Sequence, residues 1–434
     1  MGENRAEIQR RMTEWRRDFH KYAESKWTEF RTAGKIAEYL TELGIPVLLG
    51  EELMEPDMGF GVPDMAVRRA EMERAIRQGA DPDLVEKMNG LPGVAGIIDT
   101  GCEGPVTALR FDIDALPFAE NDSPTHRPER EGFRSCNENG CHACGHDGHA
   151  AIGMAVAAWI MDHKEELCGT IKLIFQPAEE GGGGARGIVA RGLLDDVEYF
   201  FAGHVGLTRP DGFPVESHQL VGGVRDFLDS RRYNVRYTGI AAHPCGDPQK
   251  GKNALLAAST AALGIHSIAP HSQGMFRANV GILRCGISRN TIAPNAYMEV
   301  EVRGENDVVA EYGEERMLQI VKSAAGLYDV EYEIELVGKT TSGAADDEAI
   351  ALVMDCAKEI PWFEELIPIG SVGGSDDASD MLRRVQEHGG IGTYIGLGAT
   401  FPTSFHDPAF DFDEEVLLPS AELFENIVKR IHGK

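Results

Sequence analysis

Apolar residues recur at helical or strand spacing along most of the chain. A stripe that includes Trp15, Phe19, Phe30 and Leu40 predicts a helix over residues 5–43. Short apolar runs then predict strands at 93–100, 105–111, 170–176 and 198–203, with helices at 147–163 and 185–191 between them. Such alternation favours an α/β sheet covered by helices.

The pattern changes near Gly222-Gly223. The elements predicted from there are a strand at 231–238, a helix at 253–268, strands at 278–286 and 295–303, a helix at 306–326 and a strand at 329–337. Their order is that of a ferredoxin-like β-α-β-β-α-β unit. The α/β pattern resumes with a helix at 346–358, a strand at 391–397 and a helix at 414–432. The sequence therefore predicts an inserted domain of residues 223–339 within a domain of residues 1–222 and 340–434.

Residues 51–92 form a segment of unusual composition. A loop rich in proline, glycine and methionine at 55–63 is followed by a charged helical run that ends at Gly79. A second short helix is predicted after Asp81-Pro82, because aspartate caps a helix and proline suits its first turn.

Charge excludes several classes of partner. The 434 residues carry a formal net charge of −28, which argues against a nucleic-acid surface and against an anionic membrane. The longest apolar run, residues 150–161, is too short to span a bilayer, and the polar start lacks a signal-peptide pattern. We therefore expect a cytoplasmic protein without nucleic-acid or membrane partners. Its eight cysteines are then expected to be reduced, metal-binding or part of the core.

The densest chemistry lies in one short motif. Six potential metal ligands fall within nine residues: Cys141, His142, Cys144, His146, Asp147 and His149. Thiolate and imidazole together suit a transition metal rather than magnesium or calcium. A second Cys/His pair at zinc-finger distance is missing from the sequence, so ligands from distant segments of an open catalytic site fit better.

Paired carboxylates follow two predicted strands. Glu179 and Glu180 begin a glycine-rich loop, where one could bind metal and the other move protons, although a solvated acidic turn has the same pattern. Asp112 and Asp114 share one face of a strand end and could orient ligand imidazoles. Turn formation at a strand terminus is the alternative for both aspartates.

Other candidates are ambiguous when each is read alone. His204 ends a strand and His406 lies in a late loop, so either could be a ligand or a structural residue. His243 lies in a glycine- and proline-containing loop of the inserted domain. Arg303 could bind a substrate carboxylate through its guanidinium or form an exposed salt bridge. Nucleotide-binding and nucleophile-elbow motifs are missing from the sequence.

Together these residues resemble a known family. The motifs, in chain order, are His142-Ala-Cys144-Gly-His146-Asp147, Gln176-Pro-Ala-Glu179-Glu180-Gly, His204, Ala242-His243 and His406. They resemble the metal-dependent aminoacylase/carboxypeptidase superfamily, in particular its amidohydrolase branch with auxin-conjugate and hippurate hydrolases. The resemblance implies a di-metal exopeptidase-like α/β catalytic domain with an inserted ferredoxin-like lid and dimerisation domain.

The resemblance also implies a ligand set for two divalent metal ions, with manganese favoured over zinc. Cys144 bridges the two ions, His146 and Glu180 complete one site, and His204 and His406 complete the other. The chain departs from the family at two positions. Asp112 stands where other superfamily members have a metal-ligand histidine, and Cys141 stands where methionine is expected, so their roles stay open.

Catalytic roles follow from the same resemblance. Glu179 is the general base that takes a proton from a metal-activated water, and His243 stabilises the oxyanion from the second chain of a dimer. Asp114 is placed with them among the catalytic residues. Asn290 and Arg303 match positions that bind the substrate carboxylate.

The expected reaction is hydrolysis of the amide bond of a small acidic N-acyl amino acid, p-aminobenzoyl-glutamate in particular, to p-aminobenzoate and glutamate. The alternatives are a broader N-acyl amino-acid or peptide hydrolase and a non-catalytic, metal-binding component of a hydrolase complex. We expect a homodimer or a heteromer with a related subunit. The segment 51–92 is predicted to cover the rim of the active site or to bind that related chain.

Overall fold

The computed structural model describes residues 4–434. The chain divides into two compact units: unit 1 runs to Arg225 and resumes at Ala344, and unit 2 comprises Asp226–Gly343. The lid and dimerisation roles predicted for the insertion stay predictions.

Unit 1 contains most of the helices and strands of the chain. The helices of the chain are α1 (Arg5–Lys21), α2 (Phe30–Glu42), α3 (Met65–Arg77), α4 (Pro82–Met88), α5 (Arg127–Glu131), α6 (His146–Asp162), α7 (Gly184–Ala190), α8 (Ala254–His266), α9 (Asp307–Leu327), α10 (Asp347–Ala357), α11 (Ala378–Glu387) and α12 (Leu417–His432). The strands are β1 (Val47–Leu48), β2 (Val94–Asp99), β3 (Val106–Asp112), β4 (Thr170–Gln176), β5 (Tyr199–Val205), β6 (Gln219–Val221), β7 (Asp229–Thr238), β8 (Phe276–Cys285), β9 (Asn295–Gly304), β10 (Glu331–Thr340), β11 (Glu365–Ile367) and β12 (Ile391–Leu397).

A mixed sheet forms the centre of unit 1. Its strands lie in the order β1-β2-β4-β3-β5-β12-β6-β11, and β4, β3, β5 and β12 run parallel. Helix α6 packs on this sheet and is buried along most of its length, consistent with its run of small and aliphatic residues. Because parallel strands end at the same edge, the segments that follow β3, β4 and β5 meet there. The predicted α/β class is confirmed.

Unit 2 contains a four-stranded antiparallel sheet in the order β10-β7-β9-β8, covered by α8 and α9. Counted within the unit, the strands lie fourth, first, third and second, which is the ferredoxin-like arrangement. The alternating burial of β9 matches its alternating apolar residues.

Three parts of the helix and loop assignment were wrong. The single helix predicted over residues 5–43 is two helices, because the chain leaves the helical conformation after Lys21 and passes through a positive φ of 65° at Trp27. Helix α5, between β3 and α6, is absent from the predicted elements. The sequence prediction also missed α11 and the strands β1, β6 and β11, of which the strands are only two or three residues long.

Cysteine pairing differs from the expectation in one place. Cys102 and Cys168 form a disulfide with their Cα atoms 4.8 Å apart, whereas Cys136, Cys141 and Cys144 are free. Helices within the described residues 4–434 are either too short or too polar to cross a membrane.

Candidate metal centre

Cys144, His146 and His204 lie together at the carboxyl edge of the sheet. Ligand atoms of these three side chains lie within 4.8 Å of one another. Gly145, between the first two, has a φ of 87°, a backbone conformation that glycine adopts without a Cβ clash, and α6 begins directly after it. The turn thus directs the thiol and the imidazole from one short motif to the end of β5, where His204 lies.

A second group shares the same thiol. Cys144, Glu180 and His406 also have ligand atoms within 4.8 Å of one another. His406 Nε2 lies 3.4 Å from Glu180 Oε2, and the backbone N–H of His406 donates to the carbonyl of Ala143. The late loop is therefore fixed directly to the motif that carries Cys144.

All five ligands predicted from the sequence lie in these two overlapping groups, and Cys144 belongs to both. His146 and Glu180, predicted to share one ion, also lie in a common group with Glu179, whereas His204 and His406 fall in different groups. A thiol common to both groups is the arrangement that a bridging ligand requires.

Two candidate ligands have donor atoms that make no hydrogen bond. His146 Nδ1 lies 3.2 Å from Asp114 Oδ1. In the neutral tautomer with its proton on Nδ1, the ring donates to this carboxylate and Nε2 offers its lone pair to a cation. Within the described residues, His146 Nε2 and Glu180 Oε1 are buried without a hydrogen-bond partner. Buried polar atoms are seldom left unpaired, so this donor set fits divalent cations.

Carboxylates concentrate negative charge beside these donors. Burial, followed by Asp376 and Glu180, raises the pKa of Glu179 well above its ordinary value. Burial raises the pKa of Glu180 to about 7, even though His146 acts in the opposite direction. Cations bound here would offset this repulsion and hold both carboxylates ionised.

Sequence reasoning missed Asp376, Asp377 and Arg110. Buried Arg110 contacts Asp112 at 2.6 Å, Asp376 at 3.2 Å and Asp377 at 3.3 Å. Ligand atoms of Asp376, Asp377 and Glu179 lie within 4.8 Å of one another. The aspartates follow Gly373-Gly374-Ser375 in a loop, and that glycine-rich run was the signal available in the sequence.

The structure shows the surroundings of Asp112 and Cys141, whose roles the sequence left open. Asp112 is fully buried and paired with Arg110 and with His149 Nδ1. Cys141 is also buried, its Sγ lies 4.0 Å from the carbonyl of Pro408, and it lies outside the ligand groups found among residues 4–434. Cys141 therefore has the contacts of a core residue.

The remaining predicted residues belong to unit 2. His243 is exposed, and its Nδ1 accepts from the backbone N–H groups of Cys245 and Gly246. Asn290 is exposed and accepts from Ser288, whereas Arg303 forms an ion pair with Glu301. Their predicted roles in oxyanion and carboxylate binding stay predictions.

Residues 108–430, from β3 into the last helix, match the family model of peptidase family M20/M25/M40. The chain belongs to this family. The family assignment confirms the predicted superfamily and makes the chain a hydrolytic metalloenzyme.

Two similar proteins match nearly the whole chain. Indole-3-acetyl-aspartic acid hydrolase of Enterobacter agglomerans is 43% identical over 95% of this chain and 93% of its own length. A p-aminobenzoyl-glutamate hydrolase subunit of Escherichia coli K12 is 42% identical over 95% of this chain and 94% of its own.

Solved structures agree with this assignment. The aminobenzoyl-glutamate utilization protein of Klebsiella pneumoniae superimposes with a TM-score of 0.84 at 37% identity, covering 98% of this chain and 97% of that one. A Bacillus subtilis protein described as a dinuclear metal-binding peptidase of the M20 family shares the fold, with a TM-score of 0.66 at 24% identity and 98% of each chain covered.

Proposed function

We propose that the chain hydrolyses the amide bond between an aromatic acyl group and an acidic amino acid, with p-aminobenzoyl-glutamate as the first substrate to test. The observation that carries the proposal is the adjacent pair Glu179 and Glu180: both lie with His146 in one group of ligand atoms, and only Glu180 also groups with Cys144 and His406. Two relatives at 42% and 43% identity are named for glutamate and aspartate conjugates, which supports the substrate class.

Two divalent cations, manganese rather than zinc, are proposed for the two groups that share Cys144. When bound, they polarise the amide carbonyl and lower the pKa of water. Cys144, His146, Glu180, His204 and His406 would hold them.

Glu179 is proposed as the general base. Its carboxylate takes a proton from the attacking water and delivers it to the leaving amine nitrogen. A carboxylate can do this only if it lies beside the ligands without being committed to a cation, and the neighbouring Glu180 supplies the metal-binding carboxylate. Asp114 supports both groups, because it contacts His146 Nδ1 and accepts from the backbone N–H of Glu180 at 3.0 Å.

Unit 2 is proposed to complete the site through a second chain. His243 of a second copy would donate to the developing oxyanion, and Asn290 with Arg303 would bind the substrate carboxylate. The exposure of His243 and Asn290 supports this proposal. Because two relatives are named as one subunit of a hydrolase, a heteromer with a related chain is the alternative to a homodimer.

The experiment is release of glutamate from p-aminobenzoyl-glutamate by the purified chain reconstituted with Mn²⁺, compared with Zn²⁺. We expect turnover by the wild type and none by Glu179→Ala, with two metal ions per chain in both. Glu14→Ala, on the exposed side of α1, is the control and should keep full activity. Turnover by Glu179→Ala at full metal content would contradict the proposal.

A substrate panel separates the alternatives. Indole-3-acetyl-aspartate, hippurate and N-acetyl-cysteine test a broader N-acyl amino-acid hydrolase. A chain that holds two metal ions but turns over no member of the panel, by itself or with a related chain, would support the non-catalytic alternative.

A further inference from the structure

Two buried carboxylates hold the backbone on either side of Glu179. The N–H of Ala178 donates to Glu29 Oε1 at 2.8 Å, and the N–H of Glu180 donates to Asp114 Oδ2 at 3.0 Å. Glu179 therefore lies between two backbone groups that are each fixed by a side chain from another part of unit 1.

The backbone at Ala178 needs such a contact. Ala178 has φ 55° and ψ 39°, the left-handed conformation, in which its Cβ crowds the backbone. Non-glycine residues keep this conformation only where their surroundings determine it. Glu29 supplies a hydrogen bond that depends on the direction of the Ala178 N–H and therefore on this conformation.

The Glu29 side chain bonds to the turn before Glu179 rather than to the helix next to it. Glu29 precedes α2, but its side chain does not cap that helix. It is fully buried, and its Oε2 lacks a hydrogen-bond partner among residues 4–434. Burying a carboxyl group with one unpaired oxygen lowers the stability of the fold. A role of Glu29 at the turn before Glu179 would account for its burial.

The approach of Glu29 to this turn is itself strained. Trp27, two residues earlier, has a φ of 65°, and its Nε1–H donates to the carbonyl of Phe60 at 2.7 Å. The loop between α1 and α2 thus adopts a disfavoured conformation and directs Glu29 to Ala178. That loop is the reason the single helix expected for residues 5–43 is broken.

We propose that Glu29 is a positioning residue for Glu179: by accepting the Ala178 N–H it fixes the left-handed turn that aims the general base. The proposal rests on the role of Glu179 proposed above. It assigns Glu29 an effect on kcat rather than on substrate binding, because a displaced base changes proton transfer and leaves the substrate contacts in place.

Three variants test the hydrogen-bond acceptor of Glu29. Glu29→Gln keeps an oxygen acceptor of the same reach, and Glu29→Met keeps the length without an acceptor. Glu29→Asp keeps the carboxyl group but withdraws the oxygen by about 1.5 Å. We expect Glu29→Met and Glu29→Asp to lower kcat about 10- to 100-fold with KM within about three-fold of wild type, and Glu29→Gln to stay within about three-fold in both.

Glu24 is the matched control. It is equally buried five residues earlier, but it accepts from the backbone of Arg31 and Thr32 in α2 rather than from the turn. Glu24→Met should lower thermal stability and leave kcat per folded chain within about three-fold. Equal losses of kcat in the Glu24→Met and Glu29→Met variants would overturn the proposal.

Two further measurements test the turn itself. Adding Ala178→Gly to Glu29→Met should restore part of kcat, because glycine adopts the left-handed conformation freely. In the metal-free full chain, amide hydrogen exchange of a peptide spanning residues 175–184 should be faster in Glu29→Met than in wild type and in Glu29→Gln. Unchanged exchange, or a Glu29→Gln loss as large as that of Glu29→Met, would overturn the positioning role.

Failure of this inference is distinct from failure of the proposed function. If Glu179→Ala is inactive while folded Glu29→Met and Glu29→Asp keep wild-type kcat, only the inference fails. If Glu29→Met does not fold, the kcat of Glu29→Asp and the amide hydrogen exchange of its peptide 175–184 test the positioning role instead. If Glu179→Ala stays active, the proposed function fails, whatever the Glu29 variants do.

Discussion

Asp112 and His149 form a buried hydrogen bond behind the candidate metal centre. His149 Nδ1–H donates to Asp112 Oδ1, while His149 Nε2 accepts from the backbone N–H of Val205 at 2.8 Å. Because Val205 directly follows His204, this imidazole links the end of β3 to the backbone of a candidate ligand. Burial acts to raise the pKa of Asp112, but Arg110 and the neighbouring histidines outweigh it and hold the pKa well below its ordinary value.

The first prediction is that His149→Ala weakens metal binding. The substitution removes the hydrogen-bond partner of the Asp112 carboxylate and of the Val205 N–H. The backbone next to His204 is then no longer held by this hydrogen bond. We expect the affinity of the weaker of the two ions to fall about 10- to 100-fold, measured by competition with a chelator. His163→Ala, at the other end of α6, is the control and should bind metal as wild type does. An unchanged affinity in His149→Ala would contradict this role.

The second prediction concerns the shared thiol. Since Cys144 belongs to both ligand groups, Cys144→Ser should abolish the simultaneous binding of two ions, as measured by metal content after dialysis. Cys136→Ser, an exposed free cysteine, is the matched control and should retain two ions per chain. Two ions at full occupancy in Cys144→Ser would refute the bridging role.

The third prediction concerns Arg16, which is fully buried in α1. It lies 2.8 Å from Asp147, 2.9 Å from Asp411 and 3.1 Å from Glu414. Arg16→Met would leave three buried carboxylates without this cation, so the free energy of unfolding should fall by about 3–5 kcal/mol in urea denaturation.

The matched control for Arg16 is Arg10→Met, one of an exposed pair with Glu14 on the same helix. We expect it to change the free energy of unfolding by less than about 1 kcal/mol. A similar small loss in Arg16→Met would show that water or another cation replaces the guanidinium.

The fourth prediction is a pH dependence at α12, away from the metal centre. Burial, with Glu422 close by, raises the pKa of Glu425 to about 8. The folded state then holds a proton that the unfolded state releases near its ordinary pKa of about 4.3. The free energy of unfolding should therefore fall as the pH rises from about 5 to about 8.

Glu425→Gln removes this titration. We expect it to match wild type at pH 4 and to exceed its free energy of unfolding by up to about 5 kcal/mol at pH 8.5. Urea denaturation at both pH values is the measurement, with Glu422→Gln as a comparison because Glu422 is paired with Arg5. An advantage of Glu425→Gln that is equal at both pH values would exclude ionisation as the cause.

The fifth prediction concerns segment 51–92 as a cover for the rim of the active site. Phe60 packs against the loop that follows Glu180: its carbonyl would meet a Cβ at Gly183, and Arg186 lies over its ring. If this face contacts the acyl group, Phe60→Ala should raise KM for aromatic N-acyl substrates about five- to ten-fold and leave N-acetyl substrates unchanged. Phe213→Ala, which removes an exposed phenylalanine far from Phe60 in the sequence, is the control. Equal KM changes for both substrate types would argue against a rim contact.

Local pattern was sufficient for much of the fold and for the first candidate ligands. Strands β4 and β12 agree with the predicted bounds, because a short apolar run between turn residues specifies a buried strand without reference to its neighbours. The ligand motif could be recognised because Cys144 and His146 are neighbours in sequence, and His204 and His406 could then be added through the family resemblance.

What the sequence could not provide is the set of contacts between distant segments. Glu29 and Ala178 are 149 residues apart, and Arg110 and Asp377 are 267 apart. Neither pair can be recognised from the local sequence, because the sequence does not show whether a charged side chain will be buried. The break after Lys21 was likewise invisible, because the helical stripe continues across it while tertiary contacts at Trp27 and Glu29 override the local preference. The sequence by itself thus determined most of the longer elements and the type of chemistry, because periodicity and ligand type are local. Tertiary structure decided which charges are buried together and how Glu179 is held, because desolvation and hydrogen bonding depend on what the fold brings into contact.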